Sequence, residues 1–174
     1  GDSVFDPGEL IYGYSHRLAE AAGAHGKVLF LPASDPDIFH PPAVEGERSG
    51  ACFYASKYKD YHGAELFSVT EGAFEITRDK PGSLDPNEIA DLFRRSKVFY
   101  CYENTSLATE AAMCGCPAVF LPNEHLTEII ASEELGVDGL AWGDAPEEMA
   151  RAQATVAGFY ERYLAGVETF GSQL

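Results

Sequence analysis

A doubly wound α/β fold on a parallel sheet is the architecture this sequence predicts, and three observations carry it. From residue 51 onward, short unbroken apolar runs alternate with stretches of helical periodicity, the pattern of strands buried on both faces and joined by helices. The composition, 45% hydrophobic and 12% aromatic over 174 residues, is enough to bury a sizeable core and excludes intrinsic disorder. Glycine and proline punctuate the chain between the periodic segments.

The elements follow in order. From Pro7, apolar residues at Leu10, Ile11, Tyr14, Leu18 and Ala22 recur at helical spacing, and Gly23 supplies a stop. Residues 27–32 form a short apolar run that predicts a buried strand. Residues 33–50 change character: Pro36, Pro41, Pro42, Gly46 and Gly50 with interspersed acids predict a linker and the best domain boundary. Residues 1–50 are thus expected to end one domain, and 51–174 to form the next. Within the second, the pattern predicts strand 51–55, a short helix around 62–71, strand 73–77, helix 86–95 and strand 97–102. Helix 105–114, strand 117–121, helix 125–135 and strand 139–142 follow, then a final amphipathic helix over about 145–165 carrying Met149, Ala152, Val156, Phe159, Tyr160 and Tyr163. No repeat or low-complexity tract interrupts the series.

Twelve Lys and Arg against twenty-eight Asp and Glu give a formal charge of −16, which disfavours nucleic acid and anionic lipid as partners. No stretch matches a membrane span or a signal peptide, so the expected location is the cytoplasm. Four cysteines, Cys52, Cys101, Cys114 and Cys116, lie in apolar runs or flank one glycine, which suits free thiols. Cys114-Gly115-Cys116 lacks the second pair that a zinc site wants, and no metal is expected.

In a doubly wound sheet, ligands sit beyond the carboxyl ends of the strands. The loops to inspect are therefore 56–59, 78–81, 103–106 and 122–125. Seven of the twelve basic residues fall between Lys57 and Lys97, a local cationic region suited to a small phosphorylated ligand. Lys57, Lys59, Arg78 and Lys80 lie in the first two loops, where solvated loop charge is the equally good reading. Arg94, Arg95 and Lys97 complement a helix dipole. Asn104, Thr105 and Ser106 would begin a helix at the ligand edge, their amides forming an anion site by geometry or simply capping the helix. Glu110, about one turn in, could accept hydrogen bonds from a ribose or be a solvated helix acid. His125 follows the next strand and could touch a sugar or be polar surface. His16, His25, His40 and His62 show no ligand spacing, and Tyr54, Tyr58 and Tyr61 suit a cleft wall or the core.

Glu-Asn-Thr-Ser-Leu-Ala-Thr-Glu-Ala-Ala-Met-Cys-Gly-Cys-Pro-Ala-Val, from Glu103 onward, resembles the E-x7-E-A signature and following C/A-G-x-P-V-V of retaining GT-B glycosyltransferases, especially the family 4 type and its capsule and O-antigen relatives. Weaker echoes are Asp37-Ile38-Phe39-His40-Pro41, similar to that family's D-x-x-F-x-P turn, and Ala55 to Lys59, where those enzymes carry G-R-x-x-x-K-G. The resemblance spans roughly residues 27–145 and is strong over 97–122. It implies one half of a GT-B architecture: a Rossmann-like, donor-binding C-terminal domain for a nucleotide-diphosphate sugar, UDP- or GDP-linked, with no cofactor and no required metal.

Carried over, the resemblance gives Glu110 the ribose hydroxyls and the amides of Asn104, Thr105 and Ser106 the diphosphate. Lys57 and Lys59 would neutralise leaving-group charge, and Arg78 or Lys80 would border the base or add to the phosphate clamp. Six residues separate Glu103 from Glu110 where the family has seven. Either Glu103 reaches the donor sugar through an altered turn, or the sugar-contacting acid is absent. The glycan or lipid-linked acceptor would belong to an N-terminal domain for which 174 residues leave no room, and that domain could hold the protein at the inner membrane face. The start at Gly1-Asp2, without an initiator Met, fits a processed chain or a piece of a longer one, and transfer by this chain alone is expected to be weak or nil. Two alternatives stay open: a GT-B-fold nucleotide-sugar epimerase, and a non-catalytic α/β nucleotide-binding module.

Overall fold

A computed structural model describes residues 9–23, 26–29, 31–78, 80–130 and 132–170. Five short parallel strands form the central sheet: β3 (Ala51–Tyr54), β4 (Phe74–Glu75), β5 (Val98–Cys101), β6 (Ala118–Phe120) and β7 (Leu140–Trp142), in spatial order β4-β3-β5-β6-β7. The chain steps from β3 out to β4, crosses back over β3 to β5, and continues outward through β6 and β7. The order therefore reverses between β3 and β5, which is where such sheets open a ligand crevice.

Strand side chains alternate between two cores. Cys52, Phe99, Cys101, Phe120 and Leu140 face α2 (Pro86–Arg95), α3 (Ser106–Met113) and α6 (Phe159–Phe170). Phe53, Tyr100, Val119 and Ala141 face the other way, with Tyr58 and with Ala152 of α5 (Pro146–Thr155). Burial on both faces explains why β3, β5, β6 and β7 read as continuous apolar runs, whereas the edge strand β4 holds Glu75 and the exposed Phe74. Helix α2 matches its expected span because its signals agree: Asp85 and Glu88 form a reciprocal capping box, Pro86 opens the helix, and Arg94 and Arg95 sit in its last turn.

Several expectations give way to specific contacts. The single helix from Pro7 is instead β1 (Ile11–Gly13), then α1 (His16–Ala21), its start fixed by Ser15, whose hydroxyl accepts from the Leu18 amide. Pro7 itself lies outside the described residues. Strand β2 (Gly26–Val28) pairs parallel with β1 and is shorter than the expected 27–32, of which Phe30 lies outside the described residues. Gly13 is required there, since a Cβ would stand 2.3 Å from the Ala19 nitrogen.

The expected helix at 62–71 is replaced by a π-helical turn, Lys57–Tyr61, and a 3₁₀ turn, Ser68–Thr70. Gly63, at φ 64°, ends the first, while the Phe67 amide (2.8 Å) and the Thr70 hydroxyl (2.7 Å) hold the second against the buried Tyr102 hydroxyl. The expected helix 125–135 shrinks to α4 (Ser132–Leu135). Asn123 turns the chain by accepting from the His125 amide, and the Asn104 side chain binds the Glu128 carbonyl and the Ile130 amide, so those backbone groups are lost to a helix. The last expected helix is two, α5 and α6, joined by a 3₁₀ turn at Val156–Gly158.

The segment read as a linker lacks regular structure but is packed along the helices. Phe39 is buried in the core, and the Tyr163 hydroxyl both accepts from the Ser34 amide and donates to its carbonyl, at 2.8 Å each. Arg94 donates to the carbonyls of Ile38 and His40, and Arg48 to those of Phe93 and Cys114 at the ends of α2 and α3. Proline and glycine here mark a strap whose carbonyls are bound by side chains from the sheet domain. Among the described residues, no helix is long and apolar enough to cross a membrane.

Candidate functional site

The strand-order reversal brings the ends of β3 and β5 together, and the chemistry-bearing residues gather around them. After β5 come Tyr102, Glu103, Asn104 and Thr105, and then α3. Thr105 caps α3, its hydroxyl accepting from the Leu107 amide. Among the described residues, the amides of Asn104, Thr105 and Ser106 have no protein acceptor, which leaves three donors beside the positive end of the helix dipole. On one side they border a cavity of about 210 Å³ that is also lined by Tyr14, Thr109, Ile129 and Ile130.

Glu110 lies one turn into α3, on the neighbouring face. Only 6% exposed, it accepts from the Ser34 hydroxyl at 3.4 Å, with the Arg78 guanidinium at 3.5 Å and Ser106 one turn before it on the same helix. Burial pushes its carboxyl above the usual range, against the pull of Arg78 and the two hydroxyls. Residues from three separate stretches, Ser34, Arg78 and Ser106/Glu110, thus meet at one carboxylate. The sequence pointed to Arg78, Ser106 and Glu110 but not to Ser34, whose serine in a Pro-rich segment carries no periodic signal.

The other candidates are held differently. Glu103 turns toward the π-helical turn, one carboxylate oxygen accepting from the amides of Lys57 (2.8 Å) and Tyr58 (3.2 Å). It serves that turn as an anionic N-terminal cap, tying the loop after β3 to the end of β5. The Lys59 ammonium sits between both carboxylate oxygens of Glu75, at 2.7 Å each. Lys80 pairs with Asp60 at 2.5 Å, which raises the lysine and lowers the acid from their ordinary values, the hydrogen bond being the largest cause in both. Lys57 is exposed, with no ion pair among the described residues. The Asn104 side chain anchors residues 128–130, leaving its amide for the site.

The aromatic residues divide. Tyr58 is buried against Tyr102, with ring centroids 4.8 Å apart, whereas Tyr61 is exposed. His125 stacks on His62, centroids 3.5 Å apart and planes within 13°, a contact that the sequence did not suggest. The four cysteines are buried and unpaired. Burial pushes the thiols of Cys52 and Cys114 up to about 12 and those of Cys101 and Cys116 well above the ordinary value, so they are packing residues.

No protein-family model matches this chain, and no curated protein matches it either. The fold is α/β with a five-stranded parallel sheet flanked by helices, as in Rossmann-like domains.

Proposed function

We propose that this chain is the donor-binding half of a GT-B-type glycosyltransferase, holding a nucleoside-diphosphate sugar for transfer to a glycan acceptor without a metal. The observation that carries this reading is the trio of unpartnered amides at the start of α3, beside the strand-order reversal, with buried Glu110 one turn further along. Free amides at a helix N-terminus suit a diphosphate, and a carboxylate at that depth suits two ribose hydroxyls. Arg78, at 3.5 Å from Glu110, would border the base or add to the phosphate clamp. The motif from Glu103 to Val119 supports the same assignment.

The acceptor would be bound by a second domain, and the β1–α1–β2 unit fits the edge of one. Two parallel strands make a poor sheet by themselves, and Leu10, Tyr12, Leu18 and Leu31 of this region are exposed. The protein would act in polysaccharide synthesis in the cytoplasm, at the inner membrane face through that domain.

A second reading, a nucleotide-binding module without transfer activity, draws support from Glu103 and Lys59, both engaged by protein groups. Calorimetric titration of the chain with UDP, GDP, TDP and CMP tests the binding common to both. A diphosphate nucleotide is expected to bind and Glu110→Ala to weaken it. Absence of binding by all four refutes the donor-site assignment, and unchanged affinity in Glu110→Ala refutes the role of that residue.

A further inference from the structure

Away from the donor site, the joint between the β1–α1–β2 unit and the sheet domain gathers a different set of side chains. His16, the first residue of α1, meets Glu133 and Glu134 of α4. Its Nδ1 lies 2.7 Å from Glu134 Oε1 and 3.9 Å from Glu133 Oε2, and the three donor atoms fall within 4.8 Å of one another. Successive side chains on a helix diverge by about 100°. Two adjacent acids can therefore share one imidazole only if the ring stands between them.

A second observation concerns Glu134 alone. Its side chain is 5% exposed, and its Oε1 also accepts from the His16 amide at 2.7 Å. The other carboxylate oxygen, Oε2, is buried without a hydrogen-bond partner among the described residues. Buried carboxylate oxygens are nearly always satisfied, and an orphan calls for a missing partner. A cation engaging both oxygens would supply it. Arg17, which lines the same cavity, is taken by Glu128, so the two carboxylates are not already neutralised by it.

We propose that His16, Glu133 and Glu134 bind a divalent transition-metal ion of the zinc type, clamping α1 to α4. One imidazole nitrogen with two carboxylates is a zinc-compatible donor set, and imidazole disfavours magnesium and calcium. With both Glu134 oxygens engaged the three residues supply four donor atoms, and a fifth position would face a cavity of about 220 Å³ lined by Ser15, Arg17, Glu128, Glu133 and Glu134.

Titrating the full chain with zinc chloride in a non-chelating buffer at neutral pH, followed by calorimetry, tests the site. One equivalent is expected to bind, tighter than magnesium by roughly tenfold or more. His16→Ala and Glu133→Gln should each weaken zinc by roughly tenfold or more, since even outer-sphere substitutions cost that much at metal sites. Glu133 is exposed, so Glu133→Gln decides the matter if His16→Ala fails to fold. Cobalt substitution distinguishes the ligands, because a thiolate charge-transfer band would mean that the cysteines bind the ion instead. Such a band overturns the proposal, as does absence of saturable zinc binding, equal affinity for magnesium, or wild-type affinity in folded variants.

Discussion

Replacing Glu103 by alanine separates a structural acid from a sugar-contacting one. Its carboxylate accepts two amide hydrogen bonds, from Lys57 at 2.8 Å and Tyr58 at 3.2 Å, at the start of the π-helical turn. Removing an acidic helix cap costs about 0.5–2 kcal/mol, and hydrogen bonds to a charged group about 1.5–3 kcal/mol each when water cannot replace them. The Lys57 bond is exposed, and water takes over much of it, so about 1 kcal/mol is assigned to each bond and about 2 kcal/mol to the pair. For a chain of this size that lowers Tm by roughly 4–8 °C. Glu103→Gln keeps an acceptor without the charge and should lose about half as much. Urea and thermal unfolding measure the stability, and nucleotide titration of the same variants measures the site. If Glu103→Ala keeps wild-type stability while nucleotide-sugar affinity falls, the carboxylate serves the ligand and the capping argument is refuted.

Two further substitutions probe the strap and the buried acid. Arg48→Ala removes donors held at 2.9 Å to the carbonyls of Phe93 and Cys114, at the ends of two helices, and should cost about 2–4 kcal/mol in chemical denaturation. Arg48→Lys should recover less than half, because a point ammonium cannot reproduce the fork; full recovery would contradict the two-helix bridge. Because burial raises the Glu110 carboxyl, the folded chain holds that proton to higher pH than the unfolded chain does, and the stability is present at acid pH and lost as pH rises through the raised value. Glu110→Gln should therefore unfold at a higher temperature than wild type at neutral pH, the gap closing below the ordinary glutamate range; a gap that is constant with pH or reversed in sign would contradict it.

Where several local signals agreed, the sequence was enough to place an element. Asp85, Pro86, Glu88 and the terminal arginines all specify α2, and unbroken apolar runs mark four of the five strands of the sheet, the edge strand β4 carrying Glu75. Legibility failed where one side chain from a distant segment took over the backbone. Asn104 keeps residues 128–130 from continuing a helix, and Tyr102 fixes the turn at 67–70. Neither interaction leaves a periodic trace. The strap at 33–50 was opaque for the same reason, since its partners Arg94 and Tyr163 lie far along the chain. Strand β1 was missed because Ile11, Tyr14 and Leu18 fit a helical spacing. The Gly13-Tyr14-Ser15 sequence, a close-packing glycine followed by a cap, held the correcting signal. Of the site, the helix start at 105 and the acid at 110 were legible, whereas Ser34 and the distribution of ion pairs required the fold.

That distribution decides what the site would demand of its cations. The basic segment between Lys57 and Lys97 reads in the sequence as a local cationic region suited to a phosphorylated ligand, yet Lys59 is bound by Glu75, Lys80 by Asp60, and Arg78 faces Glu110. Binding a diphosphate through the α3 amides needs none of them, because the donors are backbone groups already in position. Sugar transfer asks for more, since negative charge grows on the departing phosphate and must be met by a preorganised cation. Among the described residues, Lys57 is the one of these four cations without an ion pair, sitting on the turn that Glu103 caps. A transferase reading therefore requires Lys57 to act, or ligand binding to break the Lys59–Glu75 pair. A binding module requires neither, so the effect of Lys57→Ala on donor hydrolysis, set beside its effect on nucleotide affinity, divides the two readings. Loss of hydrolysis with affinity kept identifies a transferase, and equal loss of both identifies a module.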